Sequence, residues 1–135
     1  IRPSKVGLKR EPVVPSMTQH LRGSVVSFGM SYFPEESKQA IATVASMAGL
    51  PADIKRMGPT SLDLCKVADG TYDAYFEPSL HNWDIPAVSA GSIVVWESGA
   101  SLRQWDGSEI DWYQKNNILA TNGLLTDELQ AYLAL

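Results

Sequence analysis

The sequence predicts an α/β domain with a mixed, mostly parallel sheet that is flanked by helices. Short runs of β-branched and aromatic residues alternate with segments in which apolar residues recur every three or four positions. Glycine or proline stands at most of the boundaries between these segments. The chain has 135 residues, of which 44% are apolar and 19% charged, so it can bury one core of ordinary size. We therefore expect a single domain.

The composition argues against several classes of partner. The net charge is −4, which gives no basic stripe for nucleic acid or for an acidic membrane surface. Cys65 is the one cysteine and cannot form an internal disulfide, and no segment has the length of a membrane span. These features indicate a reducing, cytoplasmic compartment. Because the chain begins at Ile1 and not at methionine, we also expect it to be a fragment of a longer protein.

The first part of the chain predicts a connector, a strand and a helix. Residues 1–23 are rich in proline and basic residues, which favours an extended connector, and the C-terminal α/β domain is expected at residues 24–135. Residues 24–29 form a short β-prone run that ends in glycine. Residues 34–49 predict a helix, since proline and two glutamates open the segment and glycine ends it.

The later segments continue the same alternation. The run at 85–96 ends in β-branched residues that would also suit a strand, but the small apolar residues before them and Gly99 after them favour a helix. Strands are predicted at 54–57, 71–76, 102–105 and 118–121, and helices before Gly70, at 85–96 and from about Thr126.

Asp84 is the candidate around which the chain is organised. It stands where a helix is expected to begin, two residues before a proline that suits an early helical position. Unpaired backbone N–H groups and the positive end of the helix dipole favour an ionised carboxylate there. The placement suits a helix cap, and it equally suits an oxygen ligand for a hard cation, so the residues alone leave both roles open.

Three other sets of residues carry side chains of the types that form sites. Glu77 ends a predicted strand and can either reach a cleft or stay exposed to solvent. Residues 58–61 place glycine and two hydroxyls at a helix N-terminus, which suits an anion, a substrate hydroxyl or ordinary capping. A zinc site is not expected, since His20, His81 and Cys65 supply too few nitrogen and sulfur ligands.

The segment from Trp83 to Ala100 resembles a signature of the inositol monophosphatase family of magnesium-dependent sugar phosphatases. That signature reads Trp-Asp, then small and apolar residues, then Glu-Ala-Gly-Gly. The similarity extends over residues 25–135 and includes the segments 56–65 and 67–77. The signature positions that match are Trp83, Asp84, Ile93, Val94, Glu97 and Gly99, and those that differ are Ser98 and Ala100.

The resemblance implies a role for each candidate. Asp84 would be a magnesium ligand, and Glu77 would contact a substrate hydroxyl. Gly58, Pro59 and Thr60 would lie beside the substrate, although Pro59 replaces the usual hydroxyl residue and cannot provide its hydrogen bond. The fold implied is an α-β-α-β-α sandwich, of which this chain would form the C-terminal layers.

The family's remaining metal ligands are missing from this sequence. They lie in an upstream glutamate and in an Asp-Pro-Ile/Leu-Asp-Gly-Thr motif, and neither is present. We therefore expect the C-terminal half of a magnesium-dependent phosphomonoesterase that holds no complete catalytic set and is inactive alone. Inositol monophosphate is the leading substrate. Histidinol phosphate, fructose bisphosphate and a phosphoadenosine nucleotide are alternatives with the same chemistry. A non-catalytic remnant or binding module is the other class, and the implied partners are the missing N-terminal half and a second copy in a homodimer.

Overall fold

The computed structural model describes residues 2–3, 10–113 and 116–133. Its helices are Pro34–Ser46 (α1), Thr60–Ala68 (α2), Ile85–Ser98 (α3) and Thr126–Leu133 (α4), and a 3-10 turn at Asn82–Asp84 precedes α3. Its strands are Arg2–Pro3 (β1), Arg10–Glu11 (β2), Val25–Phe28 (β3), Asp53–Lys55 (β4), Ala74–Leu80 (β5), Ser101–Arg103 (β6) and Asn116–Thr121 (β7).

The main sheet has five strands in the order β4-β3-β5-β7-β6. The strand β3 pairs in parallel with β4 and β5, whereas β7 pairs antiparallel with β5 and β6. Only β7 therefore runs against the other strands of this sheet, and the parallel pairs are confined to the half that α1 and α2 connect. The predicted mixed α/β class is confirmed.

Alternation along the central strands divides the core into two layers. Phe76 and Leu119 pack with residues of α1 and α4 on one face of the sheet. Tyr75 and Ile118 point to the other face and pack with Val88 and other residues of α2 and α3. The second layer matters for function, because α2 and α3 begin at the same side of the molecule.

The bounds predicted for the strand at 71–76 were wrong. The observed strand begins at Ala74 and continues to Leu80, through Pro78. Proline lacks the N–H that a ladder needs, and the pairing with β7 shifts its register between Glu77 and Leu80, which accommodates it. The helix predicted at 85–96 is confirmed, and Gly99 caps it with a φ of +89°.

The segment before β3 is attached to the domain at several points. Ser16 Oγ donates to Asp73 Oδ1 at 2.5 Å, and Asn122 Nδ2 donates to the Thr18 carbonyl at 2.7 Å. Leu21 is completely buried. The division into a connector at 1–23 and a domain at 24–135 stays a prediction, but the end of that connector packs as part of the domain. Within the described ranges, no helix combines the length and apolar character needed to cross a membrane.

Candidate functional site

A cleft of ≈ 300 Å³ opens where α2, the 3-10 turn and the loop after β3 meet. It brings together all five residues for which the sequence predicted substrate or metal contacts. The residues that line it are Met30, Ser31, Tyr32, Arg56, Gly58, Pro59, Thr60, Glu77, Trp83 and Asp84. Their shared position is a structural fact, whereas their individual roles stay predictions.

Glu77 is not the strand-end residue that the sequence suggested. It lies in the middle of β5 and its side chain is 5% exposed. Its Oε2 accepts a hydrogen bond of 2.7 Å from the Tyr75 hydroxyl and a longer one of 3.4 Å from Thr60 Oγ1. Burial raises the pKa of the Glu77 carboxyl to about 7, and the negative charge of Asp84 adds to the rise. Near neutral pH this carboxyl can therefore donate or accept a hydrogen bond.

Gly29 lets this polar group pack directly against the backbone. A β-carbon at this position would lie 2.3 Å from the Tyr75 hydroxyl and 2.9 Å from the Glu77 carboxylate. Any larger residue would displace both side chains. Glycine is therefore required here because of a close approach and not because of its backbone angles.

Asp84 holds its own turn through two reciprocal hydrogen bonds. Its Oδ2 accepts from the His81 N–H at 2.9 Å, and its N–H donates to the His81 carbonyl at 2.9 Å. The side chain makes no capping bond to α3, for which Asp84 is the N-cap residue. Among the described residues the His81 N–H is the only donor to this carboxylate, and Asp84 is one of the residues that line the cleft.

His81 connects this turn to α1. Its Nε2 lies 2.8 Å from Glu36 Oε2, and both side chains are less than one fifth exposed, at 17% and 13%. Its ring stacks on Trp83 with centroids 4.4 Å apart and planes 8° apart. Ser31 also donates to Glu36. No pattern in the sequence links Glu36 with His81, because the two residues are far apart along the chain.

The N-terminus of α2 forms the opposite wall. Gly58 has a φ of +117°, in the region that favours glycine. Pro59 has no N–H to donate, so hydrogen bonds from this turn must come from Thr60 and the residues after it. Arg56 reaches along the rim, where its Nη2 lies 3.5 Å from the Met30 carbonyl.

Asp63 lies behind the cleft and was not singled out from the sequence. It is 1% exposed, and neither carboxylate oxygen has a hydrogen-bond partner; the buried Ser27 hydroxyl also lacks one. Burial raises the pKa of Asp63 to about 6, and the nearby Ser27 hydroxyl and Arg56 charge offset only part of the rise. An aspartate in the first turn of a helix ordinarily faces solvent, so no local pattern predicts that this one is buried.

The described residues do not complete a magnesium site. Among them, no three histidine, cysteine, aspartate or glutamate side chains lie close enough together to hold a metal ion. Asp84 fits as one oxygen ligand, while Mg²⁺ requires near-octahedral coordination by oxygen.

Comparisons with known proteins show which family and which relatives this chain is similar to. The model of the inositol monophosphatase family matches residues 9–134. The chain is 31% identical over 128 residues to inositol-1-monophosphatase from Synechocystis, which covers 94% of this chain and 43% of that protein. It is 40% identical over 77 residues to Nus factor SuhB from Pseudomonas aeruginosa, covering 57% of this chain and 27% of that protein.

A solved structure of similar fold agrees with these matches. Inositol monophosphatase from Anabaena superposes with a TM-score of 0.80 at 31% identity, over 93% of this chain and 48% of the other. The chain thus spans less than half the length of each of these relatives.

Proposed function

This chain belongs to the inositol monophosphatase family, and we propose that it forms the C-terminal half of a magnesium-dependent phosphomonoesterase. The substrate would be a small polyol or sugar phosphate, with inositol monophosphate the leading candidate. The observation that carries the proposal is the convergence of Thr60, Glu77 and Asp84 on one cleft. These residues lie at a helix N-terminus, in a strand and in a turn, so their proximity results from the tertiary fold and is not a feature of one local segment.

Each wall of the cleft contributes a different interaction. The Asp84 carboxylate offers a negatively charged oxygen to a cation. Glu77 faces a polyol hydroxyl as a donor or an acceptor, and the N-terminus of α2 at Thr60 offers N–H groups to an anionic or hydroxyl oxygen. Arg56 adds positive charge at the rim, which favours a phosphate ester.

Hydrolysis of the ester requires more than these residues supply. In this reaction class metal ions generate the nucleophilic water and stabilise the leaving oxygen. Since the described residues provide one carboxylate ligand, the isolated chain is expected to have no appreciable phosphatase activity. We propose that the remaining ligands come from an N-terminal half, that the assembled protein is cytoplasmic, and that it can form a homodimer.

A chimaera tests the proposal directly. Residues 9–134 replace the matching part of the Anabaena relative, and phosphate release from inositol 1-phosphate is measured with and without Mg²⁺. We expect activity that requires Mg²⁺ and is mostly lost in Asp84→Asn. The control is Asp127→Asn, an exposed carboxylate in α4 that does not line the cleft, which should keep its activity. Full turnover by a folded Asp84→Asn chimaera, or strong activity of the isolated chain, would refute the assignment.

The same chimaera separates the candidate substrates. Histidinol phosphate, fructose bisphosphate and a phosphoadenosine nucleotide are assayed beside inositol 1-phosphate. In Glu77→Gln we expect a changed order of preference with little change in the Mg²⁺ titration, because Glu77 is proposed to contact a hydroxyl. A shifted Mg²⁺ titration with an unchanged order of substrates would contradict that role.

A non-catalytic binding module is the second candidate. Ile93, Val94 and Trp96 leave an apolar surface of α3 exposed, at 59%, 37% and 47%, which is typical of a helix that another chain or segment covers. One similar protein, SuhB of P. aeruginosa, is named as a Nus factor and not as a phosphatase. The upstream coding sequence distinguishes the two candidates, because an enzyme requires the missing acidic motif there.

A further inference from the structure

The carboxylate of Glu36 contacts both a loop and a turn that line the cleft. Glu36 lies in the first turn of α1 and its side chain is largely buried. Its Oε2 lies 2.8 Å from His81 Nε2, and the same oxygen accepts a hydrogen bond from the Ser31 hydroxyl. We assign the ring proton of His81 to Nε2, because carboxylate oxygens accept hydrogen bonds. One oxygen atom therefore joins the loop after β3 to the turn that contains Asp84.

On the side of the turn, the contact with Glu36 reaches Asp84 through the backbone of His81. The His81 N–H donates to Asp84 Oδ2 at 2.9 Å, so the position of this carboxylate depends on where the His81 backbone lies. The His81 ring also stacks on Trp83 and contacts the tilted ring of Phe33, at centroid distances of 4.4 and 5.1 Å. A side chain held by several contacts restrains its own backbone, since few rotamers connect the two.

On the side of the loop, Glu36 binds a serine that other hydrogen bonds attach to the same helix. Ser31 Oγ accepts from the Phe33 N–H at 3.1 Å, and the Ser31 carbonyl accepts from the Ser37 hydroxyl at 2.7 Å. Phe33 is the N-cap residue of α1 and provides no side-chain cap. Because Ser31 itself lines the cleft, the start of α1 determines where this part of the cleft wall lies.

We propose that Glu36 is a positioning residue, which keeps the loop after β3 and the turn of Asp84 at a fixed separation and thereby determines the geometry that the cleft presents to a metal ion and a substrate. For the metal and the substrate, this rests on the proposed function. The lining residues that the structure describes do not include Glu36. The role requires its hydrogen bonds and not its charge, so a glutamine should be able to replace it.

The neighbouring Glu35 offers a matched comparison. It also lies in the first turn of α1, but its side chain is 86% exposed and pairs with Lys38 at 3.2 Å. Both glutamates place negative charge near the positive end of the helix dipole. Replacing either one removes the same charge from the same helical turn, whereas the contacts with the cleft segments belong to Glu36. Glu35→Ala therefore controls for changes in the stability of α1.

The test is hydrogen exchange of the His81 amide, followed by NMR on the complete 135-residue chain. In Glu36→Ala this amide should exchange about tenfold faster, because the turn loses a hydrogen bond to a charged group. Glu36→Gln should stay close to the wild type, since an amide oxygen can accept both hydrogen bonds. Glu35→Ala should leave the rate unchanged. An unchanged rate in Glu36→Ala, or an equal rise in Glu36→Gln or Glu35→Ala, would overturn the proposal.

The amides of β7 report separately on the stability of the whole fold. This strand pairs with β5 and β6, so its amides exchange mainly when the sheet opens. A merely structural role of Glu36 would accelerate these amides as much as the His81 amide, and that result would also count against the proposal.

The wild type provides a measurement that decides the question even if Glu36→Ala does not fold. The ring N–H of His81 should give a slowly exchanging resonance with NOEs to the Ser31 side chain, because both groups bond to one oxygen of Glu36. A His81 ring that shows no NOE to Ser31 would refute the shared contact and the proposal with it.

The chimaera with the Anabaena relative connects this geometry to the proposed function. There, Glu36→Ala should raise the Mg²⁺ concentration for half-maximal phosphate release about tenfold, while Glu36→Gln and Glu35→Ala should leave it near the wild-type value. An unchanged Mg²⁺ titration of an active Glu36→Ala chimaera would overturn the proposal. A wild-type chimaera without activity would instead contradict the proposed function, and exchange of the His81 amide would still decide whether Glu36 positions the turn.

Discussion

Replacing Glu77 by glutamine should make the protein more stable at high pH and leave its stability nearly unchanged at low pH. The folded-state pKa of about 7 lies well above the ordinary value of 4.5, chiefly because the carboxyl is buried. A carboxyl with a raised pKa binds its proton more tightly in the folded state than in the unfolded one. Stability from this group is therefore present below pH 4.5 and is lost as the pH rises from there through about 7.

The size of the effect follows from that difference in pKa. A rise of between two and three units corresponds to about 3 kcal/mol in the free energy of unfolding. Part of the rise comes from the charge of Asp84 and, to a smaller extent, of Asp63, so about 3 kcal/mol is an upper value for the burial of Glu77 itself. Glutamine keeps an oxygen that can accept from the Tyr75 hydroxyl, so the main change is the loss of the buried charge.

Urea unfolding followed by tryptophan fluorescence measures this difference. The wild type and Glu77→Gln are compared at pH values between 4 and 8, and the difference in unfolding free energy is plotted against pH. It should grow as the pH rises and level off above about 7. A difference that stays constant with pH, or that is largest in acid, would refute the assignment of a raised pKa to Glu77.

Three further substitutions probe the packing around the site. Gly91→Ala should lower the unfolding free energy by about 1–3 kcal/mol in urea melts, because the new β-carbon overlaps Leu64; an unchanged melt would show that α2 and α3 are not in close contact. His81→Ala should lower the midpoint of thermal unfolding by several degrees, because the largely buried Glu36 carboxylate loses its contact with the His81 ring. An unchanged midpoint would argue that this contact does not stabilise the fold. Asp73→Asn should lower the free energy of unfolding by about 1–3 kcal/mol, since it weakens two hydrogen bonds to a buried carboxylate. The hydrogen-exchange rate of the Val25 amide should rise in this variant, and an unchanged rate would contradict the contact.

Much of the fold was predictable because its signals are local. Proline and acidic residues at the start of α1, and glycine after α3, mark helix ends that depend only on nearby backbone groups. The continuation of β5 through Pro78 was not predictable in this way. It depends on a register shift against β7, a strand that lies about forty positions later in the sequence.

The site shows the same division between local and distant causes. The position of Asp84 at the start of a helix could be predicted, because a proline suited to the first helical turn follows two residues later, while its role stays a prediction. The burial of Glu77 and Asp63 could not, because it results from how α2 and α3 pack over the sheet. The contact of His81 with Glu36 also joins two distant segments, and neither residue carries a pattern that points to the other.

The central position of β5 has a consequence for how the cleft comes into being. This strand pairs with β3 on one side and with β7 on the other, so both partners must arrive from distant parts of the chain before Glu77 is fixed. A protein shortened before residue 116 would keep every residue that lines the cleft, yet one edge of β5 would be left unpaired and prone to join another chain. We therefore expect the cleft to form only when β7 pairs with β5, although β7 contributes no residue to the cleft wall.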